Sequence, residues 1–250
     1  MFKYLINDSY YEFILYNSIL IFKSINDYLY LIYTNKFSII RFDLINEKKI
    51  NEIKNAHIDE HVKSLRHLLD KNNKRDLILS VSSTNVVKVW DIKNFECLLN
   101  LEKVNNDSFI NSACFLNYKN EIYILSSNSQ IYIAEQIKVY NLKGNIIQKI
   151  NDSNDNIYFI DIYYDNELSN IYILISSKKY CKSFNFKQNR LYHKYSTIDN
   201  QTSFGLNIIK DKETKLLSSD SFGNINIWNF HSGLILKKIC INNKSLYEIC

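Results

Sequence analysis

Short runs of alternating apolar and polar residues follow one another along the chain, separated by clusters of Asn, Asp, Ser and Lys. Runs of this length, rich in Ile, Val, Tyr and Phe, are typical of β-strands and too short for helices. Several of them end in small hydroxyl residues, at positions 77–83, 122–127, 171–177 and 216–219. Four runs occur before the pattern starts again. The pattern predicts an all-β protein made of four-stranded units.

The clearest repeat is an aromatic residue followed by Asp or Asn and then a bulky apolar residue. It occurs five times, and successive aromatic residues are 44 to 50 positions apart. The five copies start at Phe42-Asp43, Trp90-Asp91, Tyr140-Asn141, Phe184-Asn185 and Trp228-Asn229. Each aromatic residue falls on the third predicted strand of its unit. We expect these ten residues to be structural, with the aromatic ring packed between neighbouring units.

Four-stranded units with a period of about 45 residues are typical of β-propeller blades. One such sheet cannot cover both of its faces, so successive units stack and bury their apolar faces against one another. Five complete units run from about residue 19 to residue 239. Residues 2–6 and 10–16 form two further predicted strands, and residues 245–250 begin another. The predicted fold is a propeller with five recognisable blades and partial blades at the termini.

The repeats resemble those of the WD40-repeat β-propeller family in degenerate form. The best matches are residues 86–91 (Val-Val-Lys-Val-Trp-Asp) and residues 223–229, while Ala56-His57 stands where the family has Gly-His. Only two of the five units keep Trp. Thr84 and Phe222 occupy the place of the Asp that the family carries in the tight turn before the third strand. The resemblance implies a WD40-like propeller whose hydrogen-bonded Asp-His-Ser-Trp arrangement is incomplete.

We expect a single propeller domain over residues 1–250, and two interpretations of its closure stay open. The two N-terminal strands and the one C-terminal strand could together form a sixth, three-stranded blade. Alternatively, the chain is a fragment of a longer propeller, truncated at the C-terminus inside a blade. We favour the second interpretation slightly, because the resemblance implies a ring that usually has seven blades.

The composition changes how the turns must be built. The 250 residues include no proline and only four glycines, whereas average usage would give roughly a dozen and about seventeen. Hydrophobic residues make up 46% of the chain, which is enough for a sizeable core. The turns must therefore rely on Asn, Asp, Ser and Lys, of which Asn best tolerates the left-handed conformation.

Charge and cysteine content bear on partners and compartment. The net charge of +5 comes almost entirely from Lys, and the four arginines are never adjacent. Because base readout and phosphate clamps favour Arg, we expect no direct binding of nucleic acid. The absence of an Arg-Arg pair argues against the phosphoinositide-binding propellers, so we expect no membrane binding. Five scattered cysteines without a CxxC pair indicate a reducing compartment. We expect a cytoplasmic protein, with a nuclear one as the alternative.

The sequence lacks the patterns that catalysis and metal binding require. It contains no Gly-x-Ser-x-Gly motif and no glycine-rich phosphate loop. His57 and His61 are four residues apart with His67 nearby, but the repeat places them on a loop and on a first strand. There His57 is expected to make a structural hydrogen bond and His67 to face apolar residues. We therefore expect no enzyme, no cofactor, no metal and no small-molecule substrate.

Two turns depart from the repeat and are the best candidates for contact with a protein partner. Residues 130–135 form an insertion between the second and third strands of the third unit, and residues 178–180 occupy the same turn of the fourth. Binding residues concentrate on loops that a rigid scaffold holds, and Tyr is favoured at interface hot spots. The candidate binding residues are Tyr132, Glu135, Lys178, Lys179, Tyr180 and Phe222.

The WD40 resemblance implies a function as a non-catalytic scaffold. Such a protein would mediate protein–protein interactions within a multiprotein complex, through partners that the sequence does not identify. One alternative is a propeller component of RNA processing or ribosome assembly. A phosphoinositide-binding propeller of membrane trafficking is a weaker alternative.

Overall fold

The computed structural model describes residues 18–58, 60–84, 86–101, 109–129, 136–151, 157–177, 180–196, 203–220 and 223–240. These ranges contain twenty strands in five four-stranded sheets. Sheet 1 contains β1 (Ile19–Lys23), β2 (Leu29–Asn35), β3 (Ser38–Asp43) and β4 (Lys48–Ile53). Sheet 2 contains β5 (Val62–Asp70), β6 (Arg75–Ser82), β7 (Val87–Asp91) and β8 (Glu96–Leu101). Sheet 3 contains β9 (Phe109–Tyr118), β10 (Glu121–Ser129), β11 (Gln136–Asn141) and β12 (Ile146–Asn151). Sheet 4 contains β13 (Ile157–Asp165), β14 (Asn170–Ser177), β15 (Cys181–Asn185) and β16 (Arg190–Tyr195). Sheet 5 contains β17 (Ser203–Lys210), β18 (Thr214–Asp220), β19 (Asn224–Asn229) and β20 (Ile235–Cys240).

In every sheet the strands lie side by side in chain order. Neighbouring strands pair antiparallel, as in sheets 2 and 4. This meander of four strands, repeated five times, confirms the predicted all-β, blade-based repeat fold. The strands predicted at residues 2–6, 10–16 and 245–250 lie outside the described residues.

The chain forms two compact units. The first comprises Met1–Asn106, Asn117–Tyr123 and Asn141–Asn145, and so holds sheets 1 and 2. The second comprises Asp107–Leu116, Ile124–Tyr140 and Ile146–Cys250, and holds most of sheet 3 with sheets 4 and 5. The single domain over residues 1–250 stays a prediction.

In the first unit, sheets 1 and 2 bury their facing apolar side chains against each other. Ile32 and Ile39 of sheet 1 pack into one core with Ile78 and Trp90 of sheet 2. A buried cation also joins the two sheets, because Arg41 Nη1 on β3 donates a hydrogen bond of 2.5 Å to the carbonyl oxygen of Ile92. The guanidinium lies 5.2 Å from the ring centroid of Tyr30 and 5.1 Å from that of Phe95.

In the second unit, sheets 4 and 5 share an aromatic core. Phe230 is fully buried, and its ring meets the rings of Tyr163 and Tyr172 edge-on, at centroid distances of 5.0 and 5.1 Å. Tyr195 and Trp228 pack in the same core. Edge-to-face aromatic pairs contribute stability beyond the area that they bury.

Sheets 3 and 4 of the second unit are joined by hydrogen bonds. The backbone nitrogen of Ile160 on β13 donates to Ser112 Oγ on β9 at 3.2 Å. Gln148 Nε2 on β12 donates to Asn189 Oδ1 in the turn before β16 at 2.9 Å. These sheets therefore contact each other directly.

The Asp or Asn after each aromatic residue begins the turn between the third and fourth strands. In all five units its side-chain oxygen accepts a hydrogen bond from a backbone N–H two to four residues further on, an Asx turn. The five acceptors and their donors are Asp43 (Ile45 and Asn46), Asp91 (Lys93), Asn141 (Lys143 and Asn145), Asn185 (Gln188) and Asn229 (Ser232). Asp and Asn recur at this position because both can close such a turn.

A β-bulge precedes each of the five aromatic residues. The pairing of the third with the fourth strand shifts between the aromatic residue and the one before it in every sheet. The bulges lie at Arg41/Phe42, Val89/Trp90, Val139/Tyr140, Ser183/Phe184 and Ile227/Trp228. A bulge moves the register by one residue, so it decides which side chains of these strands face each other.

The scarcity of glycine leaves bulky residues in left-handed turn positions. In the turns between third and fourth strands, Glu47 has φ of 51° and Phe95 has φ of 57°, where two other units use Gly144 and Gly233. A side chain in this conformation costs roughly 1–2 kcal/mol, while glycine costs about 0.5–1 kcal/mol of unfolded-state entropy. The exposed Glu47 is therefore a strained position.

We expect Glu47→Gly to raise the free energy of unfolding by roughly 0.5–1 kcal/mol, because it removes that strain. Urea denaturation followed by circular dichroism measures the change. Lys48→Gly, one residue further on in β4, is the control and should destabilise the protein, since glycine weakens a strand. A loss of stability with Glu47→Gly would contradict the prediction.

Candidate binding surface

A buried chain of hydrogen bonds connects a loop histidine to the second and third strands of sheet 2. His57 Nε2 and Ser80 Oγ are 2.8 Å apart, and Trp90 Nε1 donates to the same oxygen at 2.8 Å. His57 is only 1% exposed, and its Nδ1 makes no hydrogen bond within the part of the chain that the structure describes. Burial, and secondarily the nearby Lys88 ammonium, lower the pKa of His57 to about 4.

Part of the same arrangement recurs in sheet 5 and is replaced in sheet 4. Trp228 Nε1 donates to Ser218 Oγ at 3.0 Å in sheet 5. In sheet 4 the equivalent positions are Phe184 and Ile175, which carry no polar group. Donor and acceptor are both absent from this pair of positions, so neither side chain leaves the other unsatisfied.

The five repeat aromatics lie on the third strands, namely on β3, β7, β11, β15 and β19. Trp90, Tyr140, Phe184 and Trp228 are buried, and Phe42 is half-buried. Burial raises the pKa of Tyr140 to about 12. Their rings face neighbouring side chains, which leaves the turns and strand faces as the surface that a partner could contact.

The three candidate histidines have separate partners. His67 Nε2 is 2.8 Å from Asp76 Oδ1, and its ring stacks on that of Phe22 at 3.9 Å. His61 packs at a tilt against Phe37. Within the described ranges, no three His, Cys, Asp or Glu side chains lie close enough together to hold a metal ion. No helix in these ranges is long and apolar enough to cross a membrane.

One residue of the predicted partner loops, Tyr180, can be located. The other five, Tyr132, Glu135, Lys178, Lys179 and Phe222, lie outside the described residues. The carbonyl oxygen of Tyr180 accepts hydrogen bonds from the backbone nitrogen of Ser177 at 3.0 Å and from Ser177 Oγ at 2.8 Å. These bonds fix the position of Tyr180 directly before β15.

Two lysines share the ring of Tyr180. Lys194 Nζ lies 3.8 Å and Lys182 Nζ lies 4.3 Å from the ring centroid. Lys182 on β15 and Lys194 on β16 are direct cross-strand neighbours. The face of an aromatic ring attracts cations, so the ring of Tyr180 can hold both ammonium groups. Lys182 is 4% exposed, whereas Lys194 is exposed. Tyr180, Lys182 and Lys194 form what we call the sheet 4 basic cluster.

The cluster was not predicted as a unit from the sequence. A signal for it is nevertheless present, since Lys88, Lys138 and Lys182 each stand two positions before a repeat aromatic. That spacing places the three lysines at equivalent points of three third strands. What the spacing does not give is the residue that faces each lysine on the fourth strand.

Comparison with known proteins supports the fold but identifies no family and no function. No protein-family model matches the chain, and neither does any curated protein. The crystal structure of the computationally designed Ika8 protein is similar with a TM-score of 0.67 and 15% identity, over 92% of this chain and 63% of that one. The crystal structure of Raptor from Chaetomium thermophilum is similar with a TM-score of 0.71 and 12% identity, over 92% of this chain and 21% of that one. The chain thus spans less than two thirds of either structure.

Proposed function

We propose that this chain is a WD40-like propeller that acts as a non-catalytic scaffold for protein partners within a multiprotein complex. The observation that carries the proposal is the His57–Ser80–Trp90 chain of hydrogen bonds. It provides three of the four members of the Asp-His-Ser-Trp arrangement that the WD40 resemblance implies. The fold similarity to Raptor is compatible with this class of protein.

A scaffold function also agrees with the positions of the polar side chains, some of which hold the fold together while others are exposed. His57 bonds from a loop to a strand in a buried contact, and His67 bonds to Asp76 between β5 and β6 in a partly buried one. The sheet 4 basic cluster, in contrast, includes an exposed lysine and an aromatic ring at a turn. Aromatic and cationic side chains of this kind are enriched where proteins contact one another. We therefore propose the turns before the third strands as the partner-binding side.

Affinity purification of the full chain followed by mass spectrometry tests this function. We expect specific protein partners, and we expect Tyr132→Ala with Tyr180→Ala to reduce their recovery at least fivefold, because hot-spot tyrosines each contribute more than about 1 kcal/mol. Tyr28→Ala, at an exposed tyrosine of the first unit, is the matched control and should leave recovery unchanged.

The same purification separates the scaffold from its alternative. Partners that disappear after ribonuclease treatment would favour a component of RNA processing or ribosome assembly. Equal recovery with both tyrosines replaced would contradict the proposed position of the surface. Failure to enrich any protein over a mock purification would contradict the scaffold function itself.

A further inference from the structure

The last strand of sheet 5, β20, is an outer strand with a free edge. The strands of this sheet lie in the order β17-β18-β19-β20, and within the described residues β20 pairs only with β19. Its other edge therefore carries backbone N–H and C=O groups with which no described strand pairs. Such an edge is a template on which a further strand can form.

Apolar side chains distinguish β20 from the other four outer strands. Leu234, Ile235 and Leu236 are consecutive in the chain and are 66%, 48% and 46% exposed. Among the described residues, no other outer strand has more than two neighbouring large apolar side chains exposed to this degree. Three of the other outer strands begin with a charged residue, namely Lys48 in β4, Glu96 in β8 and Arg190 in β16. Charged residues commonly protect free edges, and the start of β20 has none.

The turn before β20 holds these apolar residues in place. The carbonyl oxygen of Leu234 accepts a hydrogen bond from the backbone nitrogen of Asn229 at 2.8 Å, and the carbonyl oxygen of Asn229 accepts one from Gly233 at 3.0 Å. The side chain of Asn229 also binds Glu213, since its Nδ2 donates to Oε2 at 2.6 Å. A partner that covers Leu234 and Leu236 does not have to order this turn first, which lowers the entropic cost of binding.

We propose that the free edge of β20 binds an extended segment of a partner protein, which adds to sheet 5 as a fifth strand. This inference rests on the proposed scaffold function and names the chemistry of the partner. The backbone of the segment would pair with the backbone of β20, and its large apolar side chains would cover Leu234 and Leu236. Acidic side chains of the segment would lie beside Lys237 and Lys238, which are both exposed.

The two lysines argue against a second copy of this chain as the added strand. Two β20 strands that pair antiparallel along their full length, around a two-fold axis, would bring Lys237 of each copy opposite Lys238 of the other. Like charges directly opposite each other destabilise an antiparallel pair, and here both lysines of each copy would meet at the centre. A segment with Asp or Glu at that point is attracted by the same lysines. The edge therefore fits a segment of another protein that is both apolar and acidic.

Fluorescence anisotropy of the full chain with a labelled peptide tests this edge. The probe is a fluorescein-labelled octapeptide, Asp-Val-Glu-Val-Thr-Val-Thr-Val, whose acidic end reaches the lysines when it pairs antiparallel. An analogue with a methyl group on every backbone nitrogen has no N–H donors, and we expect it to bind at least about tenfold more weakly. A neutral analogue with Asn and Gln should bind about threefold more weakly, because exposed ion pairs are weak. Equal binding of either analogue would overturn the proposal, the first for the backbone pairing and the second for the charge.

Variants of the outer strands test where the peptide binds. Leu234→Gln with Leu236→Gln should weaken binding of the probe about tenfold, because the peptide loses the apolar surface that it covers. The matched control is Ile146→Gln with Ile147→Gln at the start of β12, where the native side chains are 46% and 55% exposed. We expect less than about a twofold change with this control. Both double variants should keep the Tm of the native chain within a few degrees, since the replaced side chains are exposed. An equal loss with both would overturn the proposal, because binding would then follow general hydrophobicity.

Sedimentation velocity at increasing protein concentration tests the second copy as the occupant. A monomer at every concentration would support a partner protein. A native chain that dimerises, beside a Leu234/Leu236 variant that stays monomeric, would assign the edge to self-association and overturn the proposal.

Affinity purification separates this inference from the scaffold function. If the native chain recovers protein partners but does not bind the probe, the β20 edge is wrong and the scaffold stands. If the probe binds as expected but the native chain recovers no protein partner, the scaffold function is wrong and the strand-binding edge stands.

Discussion

Replacing Trp90 by alanine should lower the free energy of unfolding by about 3–5 kcal/mol, the range for an aromatic side chain deleted from a core. Trp90 is 6% exposed and packs with Ile32, Ile39 and Ile78 between the two sheets of the first unit. The substitution also removes the indole donor to Ser80. The lost packing weakens the contact between the two sheets, and the lost hydrogen bond weakens sheet 2 itself. The total loss should therefore be among the largest for any single residue of this unit.

Urea denaturation followed by tryptophan-independent far-ultraviolet circular dichroism measures this loss. Trp90→Phe keeps an aromatic ring while removing the donor, and we expect it to cost about 1–3 kcal/mol, as for other losses of a buried hydrogen bond with some packing. It also provides a measurable variant if Trp90→Ala does not fold. Tyr28→Ala, at an exposed ring, should change stability by less than about 0.5 kcal/mol. A cost of Trp90→Ala below that of Trp90→Phe would refute the packing role.

The strands and their order could be predicted from the sequence because the signal for them is local. The alternation of apolar and polar residues within each strand predicts that strand, and the aromatic repeat marks the third strand of every unit. The predicted span of the five units, residues 19 to 239, agrees closely with strands that begin at Ile19 and end at Cys240. Neither the strands nor their order depends on how the sheets pack against one another.

The cross-strand pairing of Lys182 with Lys194 could not be predicted from the sequence, because a bulge shifts the register between β15 and β16. Counting back from the turn pairs Asn185 with Arg190 and Phe184 with Leu191, and would place Lys182 opposite His193. The bulge between Ser183 and Phe184 inserts one residue, so that Lys182 faces Lys194 instead. A register shift of one residue changes the cross-strand partner of every following side chain. The alternation of residues 181–195 alone does not indicate where this shift occurs.

The buried histidine was expected to make a structural hydrogen bond, but its energetic consequence depends on burial that the sequence does not give. Ala56, directly before His57, and Val62, five residues after it, are both almost completely buried. Within the described residues, the Nδ1 atom of His57 has no acceptor. A protonated imidazole would therefore carry an uncompensated charge in the core, which is costly.

Acidification should destabilise the protein through His57 by about 2 kcal/mol at pH 5 and by about 3 kcal/mol at pH 4 and below. Burial lowers the pKa of His57 from 6.5 to about 4 in the folded state. Between these two values the unfolded chain binds the proton and the folded chain does not. The contribution is therefore fully present above pH 6.5, and it is lost as the pH falls towards 4.

Urea denaturation at pH 7 and at pH 5, on the native chain and on His57→Gln, measures this contribution. The glutamine variant is less stable at both pH values, but its difference between them should be smaller than that of the native chain by about 2 kcal/mol. Some acid sensitivity should remain, because burial also lowers the pKa of His67. An equal pH dependence in the two proteins would show that His57 is protonated as readily in the fold as in the unfolded chain, and the buried hydrogen-bond chain would then have to be reassigned.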